Sequence, residues 1–262
     1  MDKYLTAFKL KLSDLRAFPA DFYSGFLAMP LQIGVVYFFW RNSLGANAVE
    51  GFTAGSLAAY FLSLQILRVS MFPGLVVTWD LWDDISRGNV TVWLVRPIHY
   101  PMYVFSQKLS EFQVKVVASM AAILLPAFVL TGYTSLPRIL VGYVSALMGF
   151  AVLFQLHFIL GALTVFVGNV LSLRDNVINL TTLLGGGLLP LSMFPGFLQK
   201  IAAFTPMPSI YYIPSHILSD PHLNYSAVLA LLKEQCLWVG LLFLGVTLTW
   251  KVALKHYNPQ GG

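Results

Sequence analysis

Asp80, Asp83, Asp84 and Arg87 crowd into one short segment, WDLWDDISRGNVTVWLVRPIHYPMYVFSQK, residues 79–108. It is the longest polar-bearing interruption in an otherwise mostly hydrophobic chain. No pair in it has the spacing of a nucleophile and its base, so the charges suit contacts with another molecule rather than bond breaking. Acids early and a cation late fit the dipole of a short helix, and Gly88 can take the left-handed cap that ends it. Arg96-Pro97 closes a second short segment, because proline cannot continue a helix and biases the preceding residue toward extended geometry. Trp79, Trp82 and Trp93 give the elbow an apolar side. The pattern reads as a short amphipathic helix-turn element, with residues 80–101 forming the link between two membrane spans, placed to receive a push from something docked outside the membrane.

Other candidate chemistry is sparse. His216, Asp220 and His222 are close in sequence, but Pro221 interrupts them and no metal site is expected. His157, with Gln155, falls inside a span, where interhelical hydrogen bonding is the favoured reading. Arg68 is the sharpest intramembrane charge; it either snorkels toward the cytoplasm or lines a polar cavity. No GxxxxGK[ST] pattern occurs, so ATP hydrolysis is not expected on this chain, and GxSxG and HExxH are absent too.

The elements that position these residues follow from composition. Of 262 residues, 57% are hydrophobic and 10% charged, against about 25% charged in soluble domains. This is the profile of an all-α integral membrane protein, a single transmembrane domain over residues 1–262. The net charge of +5 suits span flanks facing anionic lipid, not nucleic acid. Cys236 lies in an apolar run and reads as a small packing residue. Six stretches approach the roughly 20 apolar residues a span needs: 20–40, 52–78, 114–130, 140–167, 177–194 and 228–250. The polar run 107–115 extends the third span as helix outside the membrane.

With both termini inside, the cytoplasmic side holds Lys3, Lys9, Lys11, Arg16, Arg87, Arg96, Lys108, Lys115, Arg174, Lys251 and Lys255. The outer side holds Arg41, Arg138, Lys200 and Lys233. Eleven against four fixes the orientation, so the elbow and the short turn at 169–176 are cytoplasmic. Residues 1–18 carry Leu5, Phe8, Leu12 and Leu15 at helical spacing and read as an amphipathic interface helix. Residues 195–222 are too apolar for a solvated loop and too proline-broken for a span. Short external helices at 197–204 and 209–218, lying at the outer face or dipping partway in, are the reading. The glycines at 185–187 allow a close backbone approach by a helix or a substrate.

Two stretches resemble a known family. The elbow, with its acids, Ile85-x-x-Gly88, apolar run and Arg96-Pro97, resembles the link between the second and third spans of ABC-2 type permeases. The segment with Phe194-Pro195, Thr205-Pro206 and Tyr212-x-Pro214 is similar to their fifth-to-sixth connection. Ser219 departs from the glycine often found there. The resemblance implies six transmembrane helices with an N-terminal interface helix. It implies half of a transmembrane domain, paired with a second copy or, slightly favoured, a sister permease. Each half would dock a cytoplasmic P-loop ATPase that carries the ATP and Mg, with no cofactor on this chain. Asp80, Trp82, Asp83, Asp84, Ile85, Arg87, Gly88, Arg96 and Pro97 would form the coupling helix. Arg68, His157, Gly186, Pro195, Pro206 and Tyr212 would belong to the pathway or gate. The implied activity is export of an unidentified, amphipathic or lipidic substrate across the plasma (bacterial inner) membrane. A membrane-embedded lipid-modifying enzyme and a non-transporting assembly subunit remain the alternatives.

Overall fold

The structure is a computed structural model describing residues 2–17, 35, 38–39, 54–131, 136–220 and 223–257. All elements among the described residues are helical. Helix α1 covers Asp2–Ala17, α2 Ala54–Leu75, α3 Val77–Ser86, α4 Val90–Leu94 and α5 Tyr100–Thr131. Then come α6 Leu136–Ala162, α7 Thr164–Val167, α8 Leu171–Leu184, α9 Gly196–Ala203, α10 Tyr212–Ser219 and α11 Tyr225–His256, with single 3-10 turns at Leu191–Met193 and Met207–Ser209.

Among the described residues, three stretches are long and apolar enough to cross a bilayer: Gly55–Ser86, Pro137–Val167 and Tyr225–His256. They correspond to the second, fourth and sixth expected spans. The expected third span lies within α5, a helix of 32 residues that also takes in the polar run at 107–115. The expected first span lies outside the described residues apart from positions 35, 38 and 39, and so does His222.

The fifth span differs from the expected 177–194. Helix α8 starts earlier, because Asn169 accepts the Leu171 N–H at 3.0 Å, so most of the cytoplasmic turn expected at 169–176 is already helix. It stops at Leu184, after 14 residues. A helix of that length rises about 21 Å, short of a hydrocarbon core of about 30 Å. The glycines end it. Gly186 has φ +76°, a left-handed conformation that disfavours any side chain. The turn is then clamped from α2: the Tyr60 hydroxyl donates to the Gly186 carbonyl at 2.7 Å, and the Arg68 guanidinium donates to the carbonyl of Gly187. A Cβ at Gly186 would stand 2.7 Å from the Tyr60 hydroxyl and 3.0 Å from Tyr212 Cβ. Gly186→Ala is therefore expected to destabilise the fold by about 1–3 kcal/mol, read as a lower melting point in detergent. An unchanged melting point would show that the clamp yields.

Between α2 and α6 lies α10, with Ile213, Pro214, Ser215, Ile217, Leu218 and Ser219 all buried. It is an inserted element, whereas α9 leaves Phe197 and Ile201 exposed. Close approach at Gly149 makes the insertion possible: a Cβ there would come within 2.7 Å of the Ser209 carbonyl. Buried Gln235 of α11 accepts from Ser145 Oγ at 2.8 Å. Its amide donates to the carbonyls of Ser145 and Ser209 at 3.1 and 2.8 Å. One satisfied amide thus joins α6, α11 and the 3-10 turn, as a buried polar group requires. Cys236, beside it, is exposed and does not pack in the core.

A column of rings runs down α6. Phe150, Phe154 and Phe158 recur every fourth residue, so they share one face. Phe150 stacks on Phe112 at 4.5 Å, Phe154 meets Phe105 edge-on at 5.0 Å, and Phe158 contacts Trp250 at 5.5 Å. Tyr100 stacks on Trp250 at 5.1 Å. The column joins α5, α6 and α11 and ends against the elbow.

Candidate functional site

The elbow is not a separate helix hung between spans. Asp80 N–H donates to the Val76 carbonyl at 3.0 Å, so α3 continues the direction of α2 through a one-residue irregularity. The acids consequently sit toward the C-terminal end of a long helix rather than at the start of a short one, which corrects the dipole reading. A helix C-terminus disfavours carboxylates, and each acid here is compensated by a partner. Asp80 pairs with Lys108 of α5 at 2.6 Å. Asp83 pairs with Arg87 at 2.6 Å. Asp84 accepts from the Tyr100 hydroxyl at 2.6 Å and from Asn89 at 3.4 Å. Burial, then the bond to Asp84, pushes the Tyr100 phenol far above its ordinary range, so it stays a proton donor at any physiological pH.

Gly88 makes the corner, with φ +74°. Its carbonyl accepts both the Thr91 hydroxyl at 2.6 Å and the Thr91 N–H at 3.2 Å, which starts α4. After α4 the chain meets Arg96-Pro97 and turns into α5, as the proline requires. Arg96 lies over the Trp93 ring at 4.8 Å, and Trp93 packs on Tyr103 of α5 at 4.4 Å.

The elbow is held from three sides. Helix α1 packs along α5; the Lys3 ammonium donates to the Pro97 carbonyl at 3.1 Å, His99 N–H donates to the Tyr4 hydroxyl at 3.1 Å, and Lys11 pairs with Glu111 at 3.2 Å. Ala7 is buried on this edge while Leu5 and Leu10 are exposed. The docked edge of α1 is therefore a small-residue and polar one, beside the apolar stripe rather than on it. On the opposite side α3 meets α6 and the turn after α7. Thr78 Oγ1 lies 2.9 Å from both His157 Nδ1 and the His157 carbonyl. The Trp82 indole donates to the Gly168 carbonyl at 3.1 Å. Leu81 presses against Gly161, where a Cβ would stand 2.8 Å from Leu81 Cβ.

This placement divides the expected coupling residues. Asp80, Asp83 and Asp84 have partners within the chain, Trp82 leans on Gly168, and Ile85 packs against the core beside Val77 and Leu81. Arg87, Arg96 and Pro97 are exposed. So are Val92, Leu94 and Val95, the last 84% exposed, which the sequence offered only as the apolar run before Arg96-Pro97. A cavity of about 410 Å³ lies behind the elbow, lined by Lys11, Asp83, Trp93, Tyr103, Gln107 and Lys108 among others.

Of the expected pathway residues, Arg68, Gly186 and Tyr212 come together at the glycine turn. His157 lies apart, under the elbow. Pro195 directly precedes α9 and Pro206 the 3-10 turn of Met207–Ser209. His216 stacks on Tyr212 at 5.2 Å and lies 3.9 Å from Asp220; among the described residues no cluster of three or more metal-ligating side chains occurs. Tyr60, Thr78, Tyr100 and Lys108 were missed. The signal that could have found Lys108 and Tyr100 is their position on the polar first turns of α5, facing the acids of α3.

Residues 26–261 match the family model described as ABC-2 family transporter protein. No curated protein matches the chain.

Proposed function

The chain belongs to the ABC-2 family of transporter proteins, and from that membership we propose that it is the membrane-spanning permease subunit of an ATP-driven exporter. ATP and Mg are held by a separate cytoplasmic P-loop ATPase. A second permease half, slightly more favourably a sister chain than a copy, completes the pathway, with both termini of this chain cytoplasmic in the bacterial inner membrane. The observation that carries this reading is the elbow: an exposed tip on a stem that is tied to two spans and the N-terminal helix.

Closure of an ATPase pair does useful work only if it favours one arrangement of the spans over another. A docked tip on a loose loop would dissipate the motion. Here α3 continues α2, Asp80–Lys108 and Asp84–Tyr100 join it to α5, and Thr78–His157 joins it to α6. A push at the tip must therefore move α2, α5 and α6 as a group, a lever of the rigid-body kind. The apolar contact for the ATPase is Val92, Leu94 and Val95, with Arg87 and Arg96 at its rim.

Mild detergent purification of the tagged chain, with mass spectrometry of what accompanies it, tests the proposal. A P-loop ATPase in near-equal amount is the expected result, and a second six-span protein would identify a sister permease. A chain that comes down alone, and captures no ATPase on crosslinking in intact membranes, overturns the reading. Within it, Val92→Asp combined with Val95→Asp is expected to reduce the co-purifying ATPase about tenfold or more at unchanged permease yield. Full retention would move the contact elsewhere.

A further inference from the structure

Arg68 lies well inside the long apolar stretch Gly55–Ser86. Asp80, paired with Lys108, marks the foot of the span, beside the exposed ring of Trp79. Arg68 is three turns further along the same continuous helix, about 18 Å from Asp80 at 1.5 Å per residue. Arg68 is exposed on the outside of α2, and its guanidinium donates to the Gly187 carbonyl. An arginine facing hydrocarbon from an apolar stretch of this length is disfavoured, so this face of α2 borders a polar route.

A second cation follows the same face. Phe72, one turn below Arg68, is exposed, and the Lys115 ammonium of α5 lies over its ring at 4.8 Å. Lys115 is two turns above Lys108, about 10 Å higher. Lys108, Lys115 and Arg68 thus form three steps along the α2–α5 face, leading away from the elbow. Acids do not follow them: α2, and α5 beyond Glu111, contain no Asp or Glu. Glu111, one turn below Lys115, is paired with Lys11. Between the cations the surface is apolar, with Phe72 more than half exposed.

We infer that this face carries the acidic headgroup of an amphiphilic cargo, with Lys115 and Arg68 as successive charge partners and Phe72 beside its hydrocarbon part. The inference rests on the permease reading and names its substrate class. A neutral or cationic headgroup would offer these two cations no charge partner. A phosphate, carboxylate or sulfate supplies it at each step, and the monodentate ammonium and forked guanidinium both accept such a group.

The test uses the complex as purified, with whatever ATPase it carries. Dioleoylphosphatidylglycerol and dioleoylphosphatidylcholine, which share acyl chains and differ in charge, are compared for binding by native mass spectrometry and for stimulation of ATP hydrolysis. The anionic lipid is expected to bind and stimulate preferentially, and Arg68→Gln and Lys115→Gln are each expected to weaken that preference about tenfold. Arg68→Lys, which keeps the charge, and Lys200→Gln on exposed α9 are expected to retain it. Should Arg68→Gln fail to fold for want of its bond to Gly187, Lys115→Gln carries the test alone. Equal response to the two lipids, or a preference indifferent to these substitutions, overturns the inference while a co-purified ATPase leaves the permease reading standing. Charge-dependent binding without stimulation identifies a resident lipid and also overturns it. If no ATPase accompanies the chain, the permease reading falls and the cargo inference falls with it.

Discussion

Gly88→Pro is expected to leave the permease folded in the membrane and to strip it of most of its ATPase. Gly88 sits at φ +74°, and proline is fixed near −65°. Its N–H donates to the Ile85 carbonyl at 3.2 Å, a bond proline cannot make. The turn must therefore be rebuilt, at about 3 kcal/mol or more if the native corner is kept. Relaxing it instead re-aims α4 and with it Val92, Leu94 and Val95. The stem below does not depend on Gly88, because Asp80–Lys108, Thr78–His157 and Trp82–Gly168 all lie on the span side of the corner. Yield and melting point in detergent should accordingly stay close to those of the parent. Recovered ATPase should fall about tenfold or more, since 1.4 kcal/mol already gives that factor, and the hydrolysis that remains should be uncoupled from transport. Parent-like recovery and coupling would mean that the tip is not the contact.

A comparable effect, on the stem instead of the tip, is expected from Gly161→Leu. A Cβ at this position would lie 2.8 Å from Leu81 Cβ and 3.0 Å from Leu81 Cδ2. Leu81 is buried, so it has nowhere to retreat, and α3 must part from α6. Overpacking of this kind typically destabilises by about 1–3 kcal/mol. Parting the helices should also break Trp82 from Gly168 and wet its ring, a shift of tryptophan emission to longer wavelength. Gly240→Leu is the matched comparison, because nothing lies within 4 Å of a Cβ there. It is expected to leave both melting point and emission unchanged. If the two substitutions behave alike, the α3–α6 contact does not carry the strain assigned to it.

The helices themselves were legible because their signals are local. Composition and run length identified an all-helical membrane protein, Arg96-Pro97 ended the elbow, and Gly88 took the left-handed corner its position required. The breaks on either side of α9 and α10 fell where the prolines stand. The fifth span was misjudged because hydropathy averages over Gly185, Gly186 and Gly187, which are neutral on such a scale but cannot hold a helix against the pull of Tyr60 and Arg68. The apolar stripe of α1 was legible, but the edge that packs on α5 was not, since Leu5 and Ala7 are both apolar by sequence.

What the sequence alone determined, then, is the class of protein, the position of the elbow and the scarcity of catalytic groups, all of which follow from composition and short-range backbone chemistry. Only the tertiary structure decided what each charged or aromatic residue does. Asp80 and Lys108 are 28 positions apart and meet because α3 and α5 leave the bilayer side by side. His157 meets Thr78 because Gly161 lets α3 and α6 approach. Arg68 reaches Gly187 because α8 ends early. Ion pairs and hydrogen bonds act over a few ångströms, and no local pattern encodes which helices will bring two groups that close.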